Sequence, residues 1–264
     1  MATSSLAALP FQAELNMARQ ALYRFTSVAL LDPRAGSWRE LERLRGSSLP
    51  EASAALVRGQ TTAQADPLGP GERPLATLTP AAVMDRLPGS AALLNAEYER
   101  TFGLVVANAC PPYETEYIGS KFAFQRSNAM ADVSGYYRAF GLAGSRAHRE
   151  RPDHIVIELE FMAVLLGLER QAAETGDAAG GERGHICRGA QRRFLEEHLA
   201  WWTPAFARLV ERENGTGFYA AVASFLAALI PAERALLDVE VAAHDVAPTR
   251  LERSEECEGC QLGS

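Results

Sequence analysis

The chain has 264 residues, of which 47% are hydrophobic and 22% are charged, and its formal net charge is −7. These values are typical of a globular protein that can bury a real hydrophobic core, in one large domain or two small ones. The 33 acidic residues outnumber the 26 basic ones, which argues against a nucleic-acid-binding protein.

Targeting and redox features point to a cytoplasmic protein. The segment 1–10 has no basic residue before its weakly apolar run, so it does not resemble a secretory signal. No uninterrupted apolar run approaches the length of a transmembrane helix. The four cysteines are too few for a disulfide framework in a chain of this size. We therefore expect a protein of the cytoplasm without membrane insertion.

Apolar residues recur at helical spacing through the first part of the chain. Phe11, Leu15 and Leu22 lie on one stripe of the first predicted helix, which Asp32-Pro33 should end. The segment 58–75, rich in Gly, Pro and Thr, has no apolar period and is predicted to be a flexible loop. The predicted helices of this part lie over 11–31, 38–44, 50–57, 80–87 and 94–102.

The second part of the chain continues the helical pattern. An irregular connection over 107–117 and a flexible loop over 176–184 interrupt it. Neither strand-like alternation nor an internal repeat is present. We therefore predict an all-α protein with a single-domain helical bundle over 1–247 and a flexible acidic tail over 248–264. The predicted helices of this part lie over 122–140, 152–174, 192–213, 218–230 and 231–243.

The helix predicted to begin at Pro152 is unusually apolar. Proline suits the first helical position, and Asp153 places negative charge at the positive end of the helix dipole. Glu158 falls inside the apolar arc, where a carboxylate needs a partner or has to take up a proton. We therefore expect a buried central helix. Its two stripes are Ile155, Leu159, Met162 and Leu166, and His154, Glu158, Phe161 and Leu165.

The connection Cys110–Tyr117 (CPPYETEY) combines two prolines with two tyrosines and two glutamates. The tyrosines, Tyr113 and Tyr117, can simply anchor the loop to the helical body. Alternatively, the loop can form a peptide-binding rim on which Glu114 and Glu116 meet basic side chains. The residues alone favour anchoring.

Other candidate sites are weaker. Asp153 and His154 are sequence neighbours that do not face each other on a helix, and no nucleophile or second carboxylate completes a catalytic set. His198 is expected to pack in the core as a satisfied imidazole. Cys257 and Cys260 form a lone C-x-x-C and are weak metal candidates, because zinc and iron–sulfur sites normally need four ligands. No Gly-rich phosphate loop supports a nucleotide site.

Two segments together resemble the signatures of a known family. ERPDH at 150–154, followed by ELEFM at 158–162, resembles the signature of the TorD/DmsD/NarJ family of molybdoenzyme chaperones. The loop CPPYETEY resembles the second signature, in the form seen in chaperones of type II dimethyl-sulfoxide-reductase-like enzymes. Further patches over 97–103, 130–142 and 198–206 agree in order and spacing.

The resemblance implies an all-helical, non-catalytic binding protein of the TorD-like type. Its partner would be the apo catalytic subunit of a molybdopterin-guanine-dinucleotide enzyme, often bound through a twin-arginine leader peptide until cofactor insertion, assembly and export. No cofactor would be bound permanently, and contact with the client's molybdenum cofactor would be transient. The implied partner-binding residues are Tyr113, Glu114, Glu116, Tyr117, Asp153, His154 and Glu158.

The start of the central helix carries two further expectations. Asp153 and His154 are expected at an exposed first turn, close to Tyr113 and Tyr117, where they would meet the client. Replacing Asp153 and His154 by alanine is expected to weaken client binding and to leave the helical fold largely intact.

Two other functions stay open at this point. The first is guanine-nucleotide binding or hydrolysis, which has been proposed within this family. The second is a metal or redox module formed by Cys257 and Cys260. The client's identity, its export and the oligomeric state, monomer or dimer, are open as well.

Overall fold

A computed structural model describes residues 8–61, 67–103, 109–119, 123–143, 150–175, 178–242 and 246. Within these residues the only β-type feature is an isolated antiparallel bridge between Tyr113 and His154, which confirms the predicted all-α fold. The α-helices are α1 (Ala8–Leu30), α2 (Ser37–Leu44), α3 (Leu49–Thr61), α4 (Pro80–Met84), α5 (Ala91–Phe102), α6 (Ala123–Ala139), α7 (Ile155–Thr175), α8 (Ala178–Phe194), α9 (Ala200–Asn214) and α10 (Phe218–Leu237). Short 3₁₀ turns lie at Pro33–Ala35, Leu75–Thr77 and Glu114–Glu116, and a π-helical turn at Leu195–Leu199 joins α8 to α9.

The core is built around α7 and α10. Helix α7 packs between α1 and α8, and α10 packs against α9. Both apolar stripes predicted for α7 are buried, and the helix ends at Thr175, one residue beyond the predicted end. The central position of α7 is therefore confirmed, because an apolar surface that wraps around a helix can be covered only by neighbours on several sides.

Helix α10 is long and apolar enough, by length and composition, to cross a membrane. In the folded chain, 78% of its most apolar window is buried, as expected of a core helix. Pro231 lies inside this helix, whereas the sequence predicted a boundary between Ile230 and Pro231. A proline removes one helical hydrogen bond, and burial of both neighbours, Ile230 and Ala232, holds the helix together across that gap.

Two buried arginine–glutamate pairs fasten α10 to distant parts of the chain. Arg19 on α1 donates to both carboxylate oxygens of Glu233, at 2.9 and 2.7 Å. Arg234 does the same to Glu72, at 2.8 Å for each contact. All four side chains are almost fully buried. Such bidentate pairs fix the position of both partners.

The loop predicted over 58–75 is shorter and better held than expected. Helix α3 continues to Thr61, and residues 62–66 lie outside the described part. Beyond them, Glu72 is held by Arg234, and the N–H of Arg73 donates to the carbonyl of Ala227 at 2.9 Å. Ion pairing and backbone hydrogen bonds therefore fix the end of this loop against α10.

The prediction of a loop over 176–184 is wrong for most of its length, because α8 begins at Ala178. Its several glycines suggested a loop, but α8 lies against α7, where Cys187 and Ala190 are buried. Tertiary packing outweighs weak helix propensity here. The tail 248–264, with Cys257 and Cys260, lies outside the described residues.

Candidate functional site

The loop Cys110–Tyr117 docks against the start of α7. The N–H of Glu114 donates to the carbonyl of Asp153, and the N–H of Ile155 donates to the carbonyl of Pro112, both at 2.9 Å. The Tyr113 ring meets the His154 imidazole edge-on, with ring centroids 5.2 Å apart. The predicted proximity of the loop to the helix start is therefore confirmed.

The helix itself starts later than predicted, at Ile155 instead of Pro152. Pro152 and Asp153 form a turn, and His154 caps the helix because its Nδ1 accepts a hydrogen bond from the N–H of Val156 at 3.2 Å. Burial lowers the pKa of His154 to about 4. The imidazole is therefore neutral at physiological pH and has a lone pair for this bond.

Asp153 is fully buried and His154 nearly so, so the expectation of an exposed first turn is wrong. The Asp153 carboxylate accepts hydrogen bonds from the Thr115 N–H and hydroxyl, at 3.2 and 2.7 Å. It also accepts from the Arg151 guanidinium at 3.0 and 2.7 Å. The docked loop covers the helix start, and Asp153 ties the two together.

Arg151 connects this buried carboxylate to the surface. Its guanidinium lies 4.3 Å from the Tyr113 ring centroid, a cation–π geometry. It also contacts one oxygen of Glu116 at 3.2 Å, while Arg126 on α6 contacts the other at 3.3 Å. The Glu116 carboxylate, expected to meet basic groups of a client, is thus paired with two arginines of this chain.

Glu114 points inward from the loop and is buried. Its carboxylate lies 3.1 and 3.2 Å from Nδ1 of His198 and accepts a hydrogen bond from the Trp201 indole at 3.0 Å. Burial raises the pKa of Glu114, and the His198 contact opposes this shift. The loop is therefore bonded to the π turn and α9 as well as to α7.

Glu158 and Tyr117 complete the interior of this region. Glu158 is fully buried and accepts one hydrogen bond, from the Trp202 indole at 3.3 Å. Burial, followed by the nearby charge of Glu114, raises the pKa of Glu158 well above its ordinary value, which favours the protonated carboxyl group. The Tyr117 hydroxyl donates to the carbonyl of Pro111 at 3.1 Å, which is the anchoring role favoured from the sequence.

Five of the seven residues predicted to bind a partner are therefore interior: Glu114, Tyr117, Asp153, His154 and Glu158. Tyr113 and Glu116 are partly exposed. The sequence argument missed Arg151 as the central connector, although it stands inside the quoted ERPDH motif. It also missed the bonding role of His198 and Trp201, which lie in one of the agreeing patches. We call the partly exposed set Tyr113, Glu116 and Arg151 the loop rim.

A separate apolar groove of about 670 Å³ lies among α1, α2 and α3. Met17 and Leu49 in its wall are 52% and 59% exposed. Charged residues of both signs stand among its lining. The groove shares no residue with the loop or with α7. Its lining includes Val28, Leu44, Leu56, Glu14, Arg24, Glu40 and Arg43.

These features define an all-helical protein in which a short signature loop is bonded to the start of a central helix. The sequence model of the family described as nitrate reductase delta subunit matches residues 72–208, about half of the chain. The match includes the loop, α6, the start of α7 and the π turn. The chain belongs to this family, which confirms the resemblance to the TorD/DmsD/NarJ proteins.

Several curated relatives carry informative names. The chain is 36% identical over 112 residues to the selenate reductase assembly chaperone protein of Thauera selenatis, covering 42% of this chain and 54% of that protein. It is 33% identical over 112 residues to the chlorate reductase assembly chaperone protein of Ideonella dechloratans, with the same coverage. It is 29% identical over 126 residues to the chaperone protein TorD of Photobacterium profundum, covering 48% and 55%. The chain spans about half the length of these relatives, and no solved structure matches it.

Proposed function

We propose that the protein is a chaperone for the catalytic subunit of a molybdenum oxidoreductase. It would bind the subunit in its cofactor-free form and release it after insertion of a molybdopterin-guanine-dinucleotide cofactor. The observation that carries the proposal is the family match, which includes the whole bonded unit of loop, α7 start and π turn. The names of the relatives, assembly chaperones of selenate and chlorate reductases, support the same class of client.

The proposed role is binding and not catalysis. Asp153, which the sequence offered together with His154 as an acid–base pair, is fully buried and accepts hydrogen bonds from Thr115 and Arg151. A carboxylate covered in this way holds a structure together and has no open side for a substrate. The protein would act in the cytoplasm and would keep no cofactor of its own.

The loop rim is the proposed contact surface for the client. Tyr113 offers an aromatic face, and Glu116 offers a carboxylate of which only part is covered. Arg151 already stacks on Tyr113 and pairs with Glu116, so this surface binds a guanidinium within the chain itself. An arginine of a twin-arginine leader would exchange with Arg126 on Glu116, because partly exposed ion pairs contribute little stability and reorganise at low cost, while Arg151 keeps its bonds to the buried Asp153.

The interior residues have a different proposed part. Glu114, Tyr117, Asp153, His154 and Glu158 would hold the loop in its binding conformation without touching the client. A rigid loop loses less conformational entropy on binding than a free one. Such a role in holding the loop accounts for the burial of signature residues that are mostly polar.

Calorimetry with the cofactor-free catalytic subunit of each molybdenum oxidoreductase of the source organism would test the proposal. The full-length chain is expected to bind one of these subunits, and to bind its cofactor-loaded form at least about tenfold more weakly, since release on loading requires a difference in affinity. A synthetic leader peptide, and one with both arginines changed to lysine, would separate leader recognition from recognition of the folded subunit. Equal affinity for the two subunit forms, or no binding at all, would refute the chaperone proposal.

A further inference from the structure

Among the described residues, one ring nitrogen of His198 has a hydrogen-bond partner and the other ring nitrogen has none. Its Nδ1 lies 3.1 and 3.2 Å from the two carboxylate oxygens of Glu114. Trp201, which can only donate, bonds to the same carboxylate. We therefore place the ring hydrogen on Nδ1. In the neutral ring Nε2 then carries the lone pair, and this buried nitrogen has no hydrogen-bond partner in the part of the chain that the structure describes. The residue is only 3% exposed.

This lone pair faces two carboxylates. Oδ2 of Asp132 on α6 lies 3.5 Å from Nε2, and the ligand atoms of Asp132, Glu197 and His198 all lie within 4.8 Å of one another. Three electron-pair donors at such distances repel each other unless a proton or a metal cation lies among them. We propose that these three side chains bind a divalent transition-metal ion, with Zn²⁺ as the best fit.

Neighbouring groups hold the proposed ligands in place. The Glu114 carboxylate on Nδ1 repeats the arrangement in which an outer carboxylate orients a metal-binding imidazole and makes it more basic. The Tyr136 hydroxyl donates to Oε2 of Glu197, and its ring packs edge-on against His198 at 5.3 Å. Glu197 and His198 both lie on the π-helical turn, a feature that often marks functional sites inside helices.

The donor set selects the class of ion. One imidazole nitrogen and two carboxylate oxygens suit Zn²⁺, whereas Mg²⁺ and Ca²⁺ prefer all-oxygen sites. Bonds of about 2.0–2.2 Å in a tetrahedral site place ligand atoms about 3.4 Å apart, near the 3.5 Å already found between Nε2 and Oδ2 of Asp132, so the carboxylates need only adjust their positions. Asp132 and Glu197 can do so because both are exposed, the side chain of Asp132 by 65%. Three protein ligands leave a coordination position open.

A bound ion would join α6 to the π turn directly behind the signature loop. Glu114 would then connect the metal ligand His198 to the loop rim. The inference does not depend on which client the protein binds, because it rests on the geometry of this chain alone.

Zinc titration of the tag-free, chelator-treated full-length chain would test the site. We expect one Zn²⁺ per chain by calorimetry and a higher thermal unfolding midpoint with Zn²⁺ than without. Asp132→Asn combined with Glu197→Gln should lower the affinity at least about tenfold while leaving the circular dichroism spectrum unchanged, because both positions are exposed. Glu196→Gln, an exposed carboxylate on the same turn, is the matched control and should bind like the wild type.

The C-terminal cysteines need their own control. A Cys257→Ser, Cys260→Ser variant is expected to keep the zinc site, and the Co²⁺-loaded wild type should show no thiolate-to-metal charge-transfer band. Loss of binding in the cysteine variant, or such a band in the wild type, would place the metal on the tail and overturn the proposal. Unchanged affinity in the Asp132, Glu197 variant would overturn it too, as would no Zn²⁺ binding to the wild type at millimolar concentration.

Discussion

Glu158 is a fully buried carboxyl group, and its protonation is therefore coupled to folding. Its pKa in the folded protein is raised well above 4.5, so between pH 4.5 and that raised pKa the folded state holds a proton that the unfolded state releases. Stability from this group is complete below about pH 4.5 and is lost as the pH rises toward the folded pKa. Glu158→Gln carries no such proton and should therefore gain stability over the wild type with rising pH, by up to about 1.4 kcal/mol per pH unit in that window.

Urea unfolding at several pH values between 5 and 8 would measure this difference. Glu174→Gln, an exposed carboxylate at the end of the same helix, is the control and should unfold in parallel with the wild type. If the Glu158→Gln curve also ran parallel to the wild type at every pH, Glu158 would be ionised in the folded state.

Asp153 is the second residue with a measurable structural role. Asp153→Ala should lower the free energy of unfolding by about 3 kcal/mol, because it leaves the Thr115 donors and the Arg151 guanidinium without their acceptor. This replaces the expectation from the sequence that exchanging Asp153 together with His154 would leave the fold largely intact. Asp85→Ala, the same exchange at an exposed position, should cost less than about 0.5 kcal/mol. If the Asp153→Ala variant kept the stability of the wild type but bound the client weakly, the sequence-based expectation that Asp153 contacts the client would be supported instead.

At the scale of elements, the Arg19–Glu233 pair ties α1 to α10. Arg19→Met alone should cost about 3–5 kcal/mol, since Glu233 is left buried without a counter-charge. Adding Glu233→Leu should recover most of this loss, because two apolar side chains can replace a buried ion pair at little net cost. Denaturant unfolding of the two single variants and the double variant completes the cycle.

The exposed pair Arg43–Glu40 on α2 gives a matched cycle with the same chemistry at the surface. Its coupling energy should stay below about 1 kcal/mol, because water screens both charges. Similar coupling energies in the two cycles would mean that Arg19 and Glu233 are hydrated in solution.

Local sequence patterns predicted most of the helices, but they failed at positions where tertiary packing determines whether a helix forms. The stripes of α7 could be predicted because every turn of that helix repeats the same apolar spacing. The start of α8 at Ala178 could not, since its glycine-rich first turns form a helix only against α7. Pro152 looked like a first-turn proline, yet Asp153 bonds to Thr115 and Arg151 instead of capping the helix. Such partners are distant in sequence and leave no periodic signal.

The whole molecule determines which signature residues reach solvent. The approach of the loop to α7 was predicted correctly, because the two signatures occur together. Burial of Glu114 depends on the π turn and α9, which contribute His198 and Trp201, and burial of Asp153 depends on the docked loop. A single sequence shows which residues are unusual, but their exposure follows only from how all the helices pack.

The described residues offer the proposed client two surfaces, the loop rim and the groove of α1, α2 and α3. The effects of variants in each surface on client binding would show which of them binds. Tyr113→Ala removes the aromatic face of the rim and should weaken binding of the cofactor-free subunit about 10- to 100-fold, as expected of an aromatic contact at the centre of an interface. Met17→Glu combined with Leu49→Glu places two charges in the exposed wall of the groove and should leave the affinity unchanged.

Tyr113→Phe keeps the ring that Arg151 stacks on and should bind like the wild type. Thermal unfolding of every variant would show whether a loss of affinity reflects a loss of fold. The reverse pattern, with normal binding after Tyr113→Ala and weak binding after the groove exchange, would assign the client to the groove. The signature loop would then have a structural role alone, because its polar groups are already satisfied by Arg126, Arg151, His198 and Trp201.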